Sequence, residues 1–293
     1  MDLWIPITIM AAFSQNIRSA LQKHLKAKLS NTAATFVRFG FGLPFATAYL
    51  LFILLYTNSS LPSLHQTFLI WAAIGGAAQI VATACLLHIF SFRNFAVGTA
   101  LSKTETVQAA LFGFIMLNDQ LSTGAIMGIG MSLVGVILLG KPPTLERSAI
   151  PTMIYGLASG GLFGLSAVAY RAASTSLIHE SFIIQAATTL VIVLCMQTIA
   201  MLIFLIWREP EQIKRTFASW KIASLVGASG ALASAGWFTA MTIQNVAYVR
   251  ALGQIELLFT FIASILFFHE QTHKREVIGI ILVTLGIIVL LLT

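Results

Sequence analysis

Five charged residues stand inside stretches that are otherwise almost wholly apolar: Arg38, Lys103, Glu105, Arg250 and Glu256. At the centre of a membrane-spanning helix a charge costs roughly 2.5–3.5 kcal/mol on insertion scales, so it persists where it pairs or does work. Two carboxylates with cations nearby suit proton coupling, recognition of a cationic solute group, or a static ion pair that locks helices together. On one helix Lys103 lies about 200° around from Glu105, so the two do not share a face. Lys103 is therefore expected to meet Glu256 instead. Arg250 precedes Glu256 by about 240° of helix and is expected at the mouth of a pathway or among lipid headgroups. That assignment leaves Glu105 without a fixed cation, as the group expected to exchange a proton or bind an amine. Arg38 reads equally as a buried partner for a carboxylate or carbonyl and as a substrate contact. Asn94, Asn245 and Trp237 complete the candidate pathway. Asn16, Gln79, Gln185 and Gln244 read as interhelical hydrogen-bond formers, and Tyr170 with Trp237 as a candidate cavity wall.

Other chemistry finds no support in the sequence. It contains no HExxH, GxSxG or Walker A pattern, and His88 is a lone histidine in an apolar run. Cys85 and Cys195 lie in apolar runs without CxxC spacing and read as small buried hydrophobes. No enzymatic activity, cofactor or metal is expected. The formal charge of +7 does not indicate nucleic acid, because the basic residues fall in short connections and not on a basic helix or patch.

The elements that must position these residues follow from composition. Of the 293 residues, 58% are hydrophobic and 9% charged, where soluble domains carry roughly 25% charged residues. The surrounding solvent is therefore expected to be lipid, and each crossing needs about 20 apolar residues. Ten spans are expected, at 3–22, 32–56, 66–91, 95–117, 122–140, 150–172, 180–207, 219–243, 247–268 and 275–292. Turns are expected at Asn58-Ser59-Ser60-Leu61-Pro62, Ser91-Phe92-Arg93-Asn94, Lys141-Pro142-Pro143 and Arg208-Glu209-Pro210-Glu211. Met1-Asp2-Leu3-Trp4 lacks a positively charged leader, so the first apolar run is expected to be a retained helix. Gly124 with Gly128, and Gly156, Gly160 and Gly164, recur at the spacing that brings helix backbones together in lipid. Asp119 and Glu270 are expected to cap the fifth and tenth helices.

The chain repeats itself at a constant shift of 151 residues. Ala100-Leu101 falls on Ala251-Leu252, Glu105 on Glu256, and Asp119-Gln120 on Glu270-Gln271. Gly128 and Gly135 fall on Gly279 and Gly286, and Asn94 on Asn245. Charged and glycine matches at one shift are hard to obtain by chance in a Leu- and Ala-rich chain. Each half holds five expected helices, and an odd number sends the second half in from the opposite side. The expected architecture is an all-α membrane protein of ten transmembrane helices in two inverted five-helix repeats, 1–141 and 150–293. Such repeats place their sites near the midplane.

The carrying segments are Leu117-Asn118-Asp119-Gln120-Leu121 with Gly128 and Gly135, and Phe268-His269-Glu270-Gln271 with Gly279 and Gly286, joined by Val37-Arg38-Phe39 early in the second helix. In these the sequence resembles the drug/metabolite transporter superfamily, in its EamA-like ten-helix branch. It departs where the family often has a proline in its fourth and ninth helices, near Glu105 and Glu256 here. The resemblance implies a secondary transporter or exporter of an amino acid, sugar, drug-like compound or related metabolite, with the proton a candidate coupling ion. It would be multi-pass in a cell inner membrane, a monomer or homodimer whose partners are a small-molecule substrate and the bilayer. The alternative is a non-transporting membrane protein with a regulatory or lipid-interacting role. Twelve Lys and Arg residues lie in odd-numbered connections (Lys23, Lys26, Lys28, Arg93, Lys141, Arg147, Arg208, Lys214, Arg215, Lys221, Lys274, Arg275), against Arg171 and Arg250 at the edges of even-numbered ones. The positive-inside rule then puts both termini outside, whereas members of the resembled family usually keep them inside.

Overall fold

The structure is a computed structural model that describes residues 2–25, 28–89, 101–139, 150–268 and 273–292. Among these every element is helical: α1 (Trp4–Leu25), α2 (Asn31–Gly40), α3 (Gly42–Thr57), α4 (Gln66–Ile89), α5 (Glu105–Leu117), α6 (Thr123–Leu139), α7 (Ile150–Ser176), α8 (Phe182–Arg208), α9 (Pro210–Ala218), α10 (Trp220–Ile243), α11 (Val246–Gly253), α12 (Ile255–Phe268) and α13 (Lys274–Leu291). Five helical stretches among the described residues are long and apolar enough to cross a membrane: Asn31–Thr57, which is α2 with α3, then Gln66–Ile89, Ile150–Ser176, Phe182–Arg208 and Trp220–Ile243. Phe52, Leu55, Leu111, Ile115, Ile203 and Ile206 are exposed on their helices. Water would penalise so many uncovered large apolar groups, whereas hydrocarbon accommodates them. The chain is a multi-pass membrane protein.

The helix ends repeat at the shift seen in the sequence. A step of 151 carries Asn31, the first residue of α2, onto Phe182, the first of α8. It carries Thr57, the last of α3, onto Arg208, the last of α8, and Thr123 at the start of α6 onto Lys274 at the start of α13. Two helices end on asparagines in the left-handed region, Asn58 at φ 50° and Asn118 at φ 55°, a conformation asparagine tolerates better than most residues.

Several expected elements differ. The second span is interrupted at Phe41 and the ninth at Gln254. The turn expected at Arg208–Glu211 instead opens a further short helix, α9, with Pro210 in its first turn, where a missing N–H and fixed φ are well tolerated. Ser122, not Asp119, caps α6, accepting from the Ala125 N–H at 3.0 Å. Asp119 uses its own N–H to close α5 on the Gly113 carbonyl at 3.1 Å. At the equivalent position His273 caps α13, in a reciprocal box with Glu276. Glu270, the turns at 91–94 and 141–143, and Asn94 lie outside the described residues.

The chain forms two compact units, each drawing on both halves of the sequence: residues 1–77 with 169–243, and residues 78–168 with 244–293. In the first, α1 packs on α10, where a Cβ on Gly236 would meet the Ala11 Cβ at 2.8 Å. In the second, α6 packs on α13 with backbones almost touching. A Cβ on Gly128 would lie 2.6 Å from the Gly286 carbonyl oxygen, and one on Gly135 2.6 Å from that of Gly279. The lower-numbered glycine of one helix faces the higher-numbered glycine of the other, so these equivalent helices run antiparallel.

Candidate functional site

Within the second unit α5 and α12 begin at equivalent places in the two repeats, each just after a tightened turn. On one side, the Thr104 N–H bonds back three residues to the Leu101 carbonyl at 3.1 Å, and α5 begins at Glu105. On the other, the Gln254 N–H bonds to the Ala251 carbonyl at 3.1 Å, and α12 begins at Ile255. These tightened turns occur without proline. Interrupted helices of this kind mark hinges and sites in membrane bundles.

Four of the five charges meet at these breaks. Lys103 donates to Glu256 through Nζ and Oε1, and the Arg250 guanidinium lies 3.1 Å from the Glu105 carboxylate. Each pair joins one residue from the first half of the sequence to one from the second. Together the two pairs bring two carboxylates and two cations to these breaks. Their side chains are largely enclosed, from 29% exposed at Lys103 to 14% at Glu256 and Arg250. Helix ends add to the attraction. Glu105 and Glu256 stand in the first turns of α5 and α12, and Arg250 in the last turn of α11. Each is the end whose partial charge favours that sign.

This geometry corrects one expectation: Glu105 is not left without a cation, because Arg250 lies beside it. The angular count that separated Arg250 from Glu256 assumed one unbroken helix. The break at Gln254 voids that count, and the pairing runs between helices. Both glutamates lie just past a break.

Polar groups around the cluster brace it. Gln254 donates to the Thr106 hydroxyl at 2.9 Å within the core, and Gln108 donates to Thr104 at 2.7 Å. Gly160 and Gly164 of α7 give the room: Cβ atoms there would meet the Ser102 carbonyl at 2.8 Å and the Ala109 nitrogen at 2.9 Å. Thr106 and Gln108 carry no charge in a polar-poor helix, which is why sequence reasoning passed over them. Gln254 stands 151 residues after Lys103, at the repeat-equivalent position.

The other candidates fall elsewhere. Asn245, in the same unit, precedes α11 and donates to the Gln120 carbonyl at 3.2 Å. Trp237 belongs to the first unit, where it is buried and donates to Gln15 at 3.1 Å. Tyr170 is buried there too, stacked on Phe238 at 4.6 Å with Gln197 donating to its hydroxyl at 3.3 Å. Arg38 lies in the last turn of α2, also in the first unit. Among the described residues no group of three or more His, Cys, Asp or Glu could hold a metal ion.

The EamA-like transporter family matches the chain twice, over residues 2–141 and 150–292. A solved structure described only as the crystal structure of a protein has the same fold, with a TM-score of 0.73 at 15% identity, covering 99% of this chain and 96% of that one. No curated protein matches the chain.

Proposed function

The chain belongs to the EamA-like transporter family, and from that membership we propose that it is a secondary transporter or exporter of a small metabolite. We read it as crossing a cell inner membrane ten times, in two inverted five-helix repeats. The antiparallel meeting of α6 with its repeat counterpart α13 supports the inversion, because equivalent helices of repeats with the same orientation would run parallel.

One observation carries the reading: the two ion pairs at the breaks, Lys103 with Glu256 and Arg250 with Glu105, each cross from one repeat to the other. A paired carboxylate and cation hold two helix ends together. A proton arriving on the glutamate, or a cationic substrate group competing for it, releases the partner cation and frees the ends to move. Static locks have no need of interrupted helices, whereas a hinge that must open does. In this account the charge quartet is at once the site and the latch.

The test begins with a metabolite-release screen comparing deletion and overexpression strains, which supplies a substrate. Uptake of that compound into proteoliposomes is then measured with and without a pH gradient. Uptake dependent on the protein and enhanced by the gradient supports a proton-coupled carrier. A protein that reconstitutes intact yet moves none of the released compounds refutes the transport reading in favour of a regulatory or lipid-interacting membrane protein.

A further inference from the structure

α9 is too short and too polar to cross a bilayer, yet it and its flanks expose three large aromatics. Trp207 is 75% exposed, Phe217 58% and Trp220 56%. Over the same stretch Lys214, Arg215 and Lys221 are exposed as well, and the Arg208 guanidinium sits 4.8 Å from the centre of the Trp207 ring. Water would leave the aromatics uncovered, and hydrocarbon would strand the cations. The headgroup layer alone satisfies both, since indole rings and basic side chains partition there together.

The segment is also held in place. Glu209 accepts from the hydroxyls of Ser30 and Thr32, the latter at 3.0 Å, and Gln212 accepts from the Ser30 N–H at 3.1 Å. Ser30 caps α2 at the same time. These bonds fix α9 against the start of α2, so its cations form a platform. They also occupy Glu209, one of the two acids that would offset the basic residues. Lys28, exposed on the connection that carries Ser30, adds a further cation.

We propose that α9 and its flanks are a docking surface for the headgroups of anionic phospholipids. Lys214, Arg215 and Lys221 face the lipid phosphates, and Trp207 and Trp220 lie at the boundary with the acyl chains. The inference is independent of what the protein carries. The full chain is reconstituted in vesicles of phosphatidylcholine and phosphatidylglycerol in which one lipid or the other is brominated, and quenching of tryptophan fluorescence is read. Brominated phosphatidylglycerol should quench more strongly than brominated phosphatidylcholine at equal fraction. The difference should shrink at high salt and on Trp207→Phe/Trp220→Phe. The variant Lys214→Gln/Arg215→Gln/Lys221→Gln should lose the preference, by about fivefold in local affinity per cation removed. Lys214→Arg/Arg215→Lys/Lys221→Arg should keep it, which separates lost charge from lost folding. Equal quenching by the two lipids in the unaltered protein overturns the proposal, as does a preference that survives neutralisation. A surface meant for a soluble acidic partner would give the first of those results.

Discussion

Replacing Gly128 with alanine tests the crossing of α6 and α13 at its tightest point. The added Cβ would stand 2.6 Å from the Gly286 carbonyl oxygen and 3.0 Å from the Leu290 nitrogen, where ordinary contact begins at 3.4 Å. The helices must then separate by about 0.8 Å, the gap between 3.4 and 2.6 Å, and no rotamer change relieves it because the obstructing atoms are backbone. Overpacking of this kind costs about 1–3 kcal/mol, so a mid-range loss lowers the melting temperature by roughly 4–8 °C. Gly130→Ala is the control. It lies on the same helix, its Cβ would meet nothing within 4 Å, and removing a helical glycine gains about 0.5–1 kcal/mol. Thermal unfolding of the two purified variants in one detergent decides the matter. Equal melting temperatures for Gly128→Ala and Gly130→Ala refute the close antiparallel crossing, and with it the support for inverted repeats.

Three further outcomes follow from the same geometry. Glu256→Gln strands Lys103 and should reduce the yield of folded protein, since removing one partner of a buried pair costs roughly 3–5 kcal/mol; Lys103→Met/Glu256→Gln should recover part of that yield on size-exclusion chromatography. Ser122→Ala removes the cap of α6 and should destabilise by about 1 kcal/mol in the same melting assay. A C-terminal reporter active only in the cytoplasm should stay silent, because the basic connections hold the odd-numbered loops inside; a strong signal reverses the orientation.

Charge and repetition made much of this ion-pair cluster legible in the sequence. Glu105 and Glu256 stood out as carboxylates in apolar runs at one repeat shift, and Lys103 was matched to Glu256 because the helix turned it away from Glu105. Gly128, Gly135, Gly279 and Gly286 were visible as a repeated pattern, though their facing each other was not, because spacing along one helix does not specify its partner. The pairing of Arg250 with Glu105 was missed for a definite reason. Angular reasoning holds only while a helix continues, and the residues at the Gln254 break, Gly253-Gln254-Ile255, contain no proline to announce an interruption. The cap on α6 was missed by three residues because Asp119 and Ser122 are both acceptable N-caps, and only the closing of α5 on Gly113 decides between them. α9 hid behind a Glu-Pro-Glu turn signal, although proline within the first turn of a helix is as ordinary as proline in a loop.

The most direct measurement is gradient-driven transport by Glu105→Gln in reconstituted vesicles, with the substrate supplied by the metabolite screen and folding verified by size-exclusion chromatography. Neutralising Glu105 removes the partner of Arg250 and the carboxylate that would accept a proton or a cationic group. The account predicts a folded protein whose uptake no longer responds to the pH gradient. Folded Glu105→Gln that carries the substrate as the unaltered protein does, with the same response to the gradient across the neutral pH range, would contradict it.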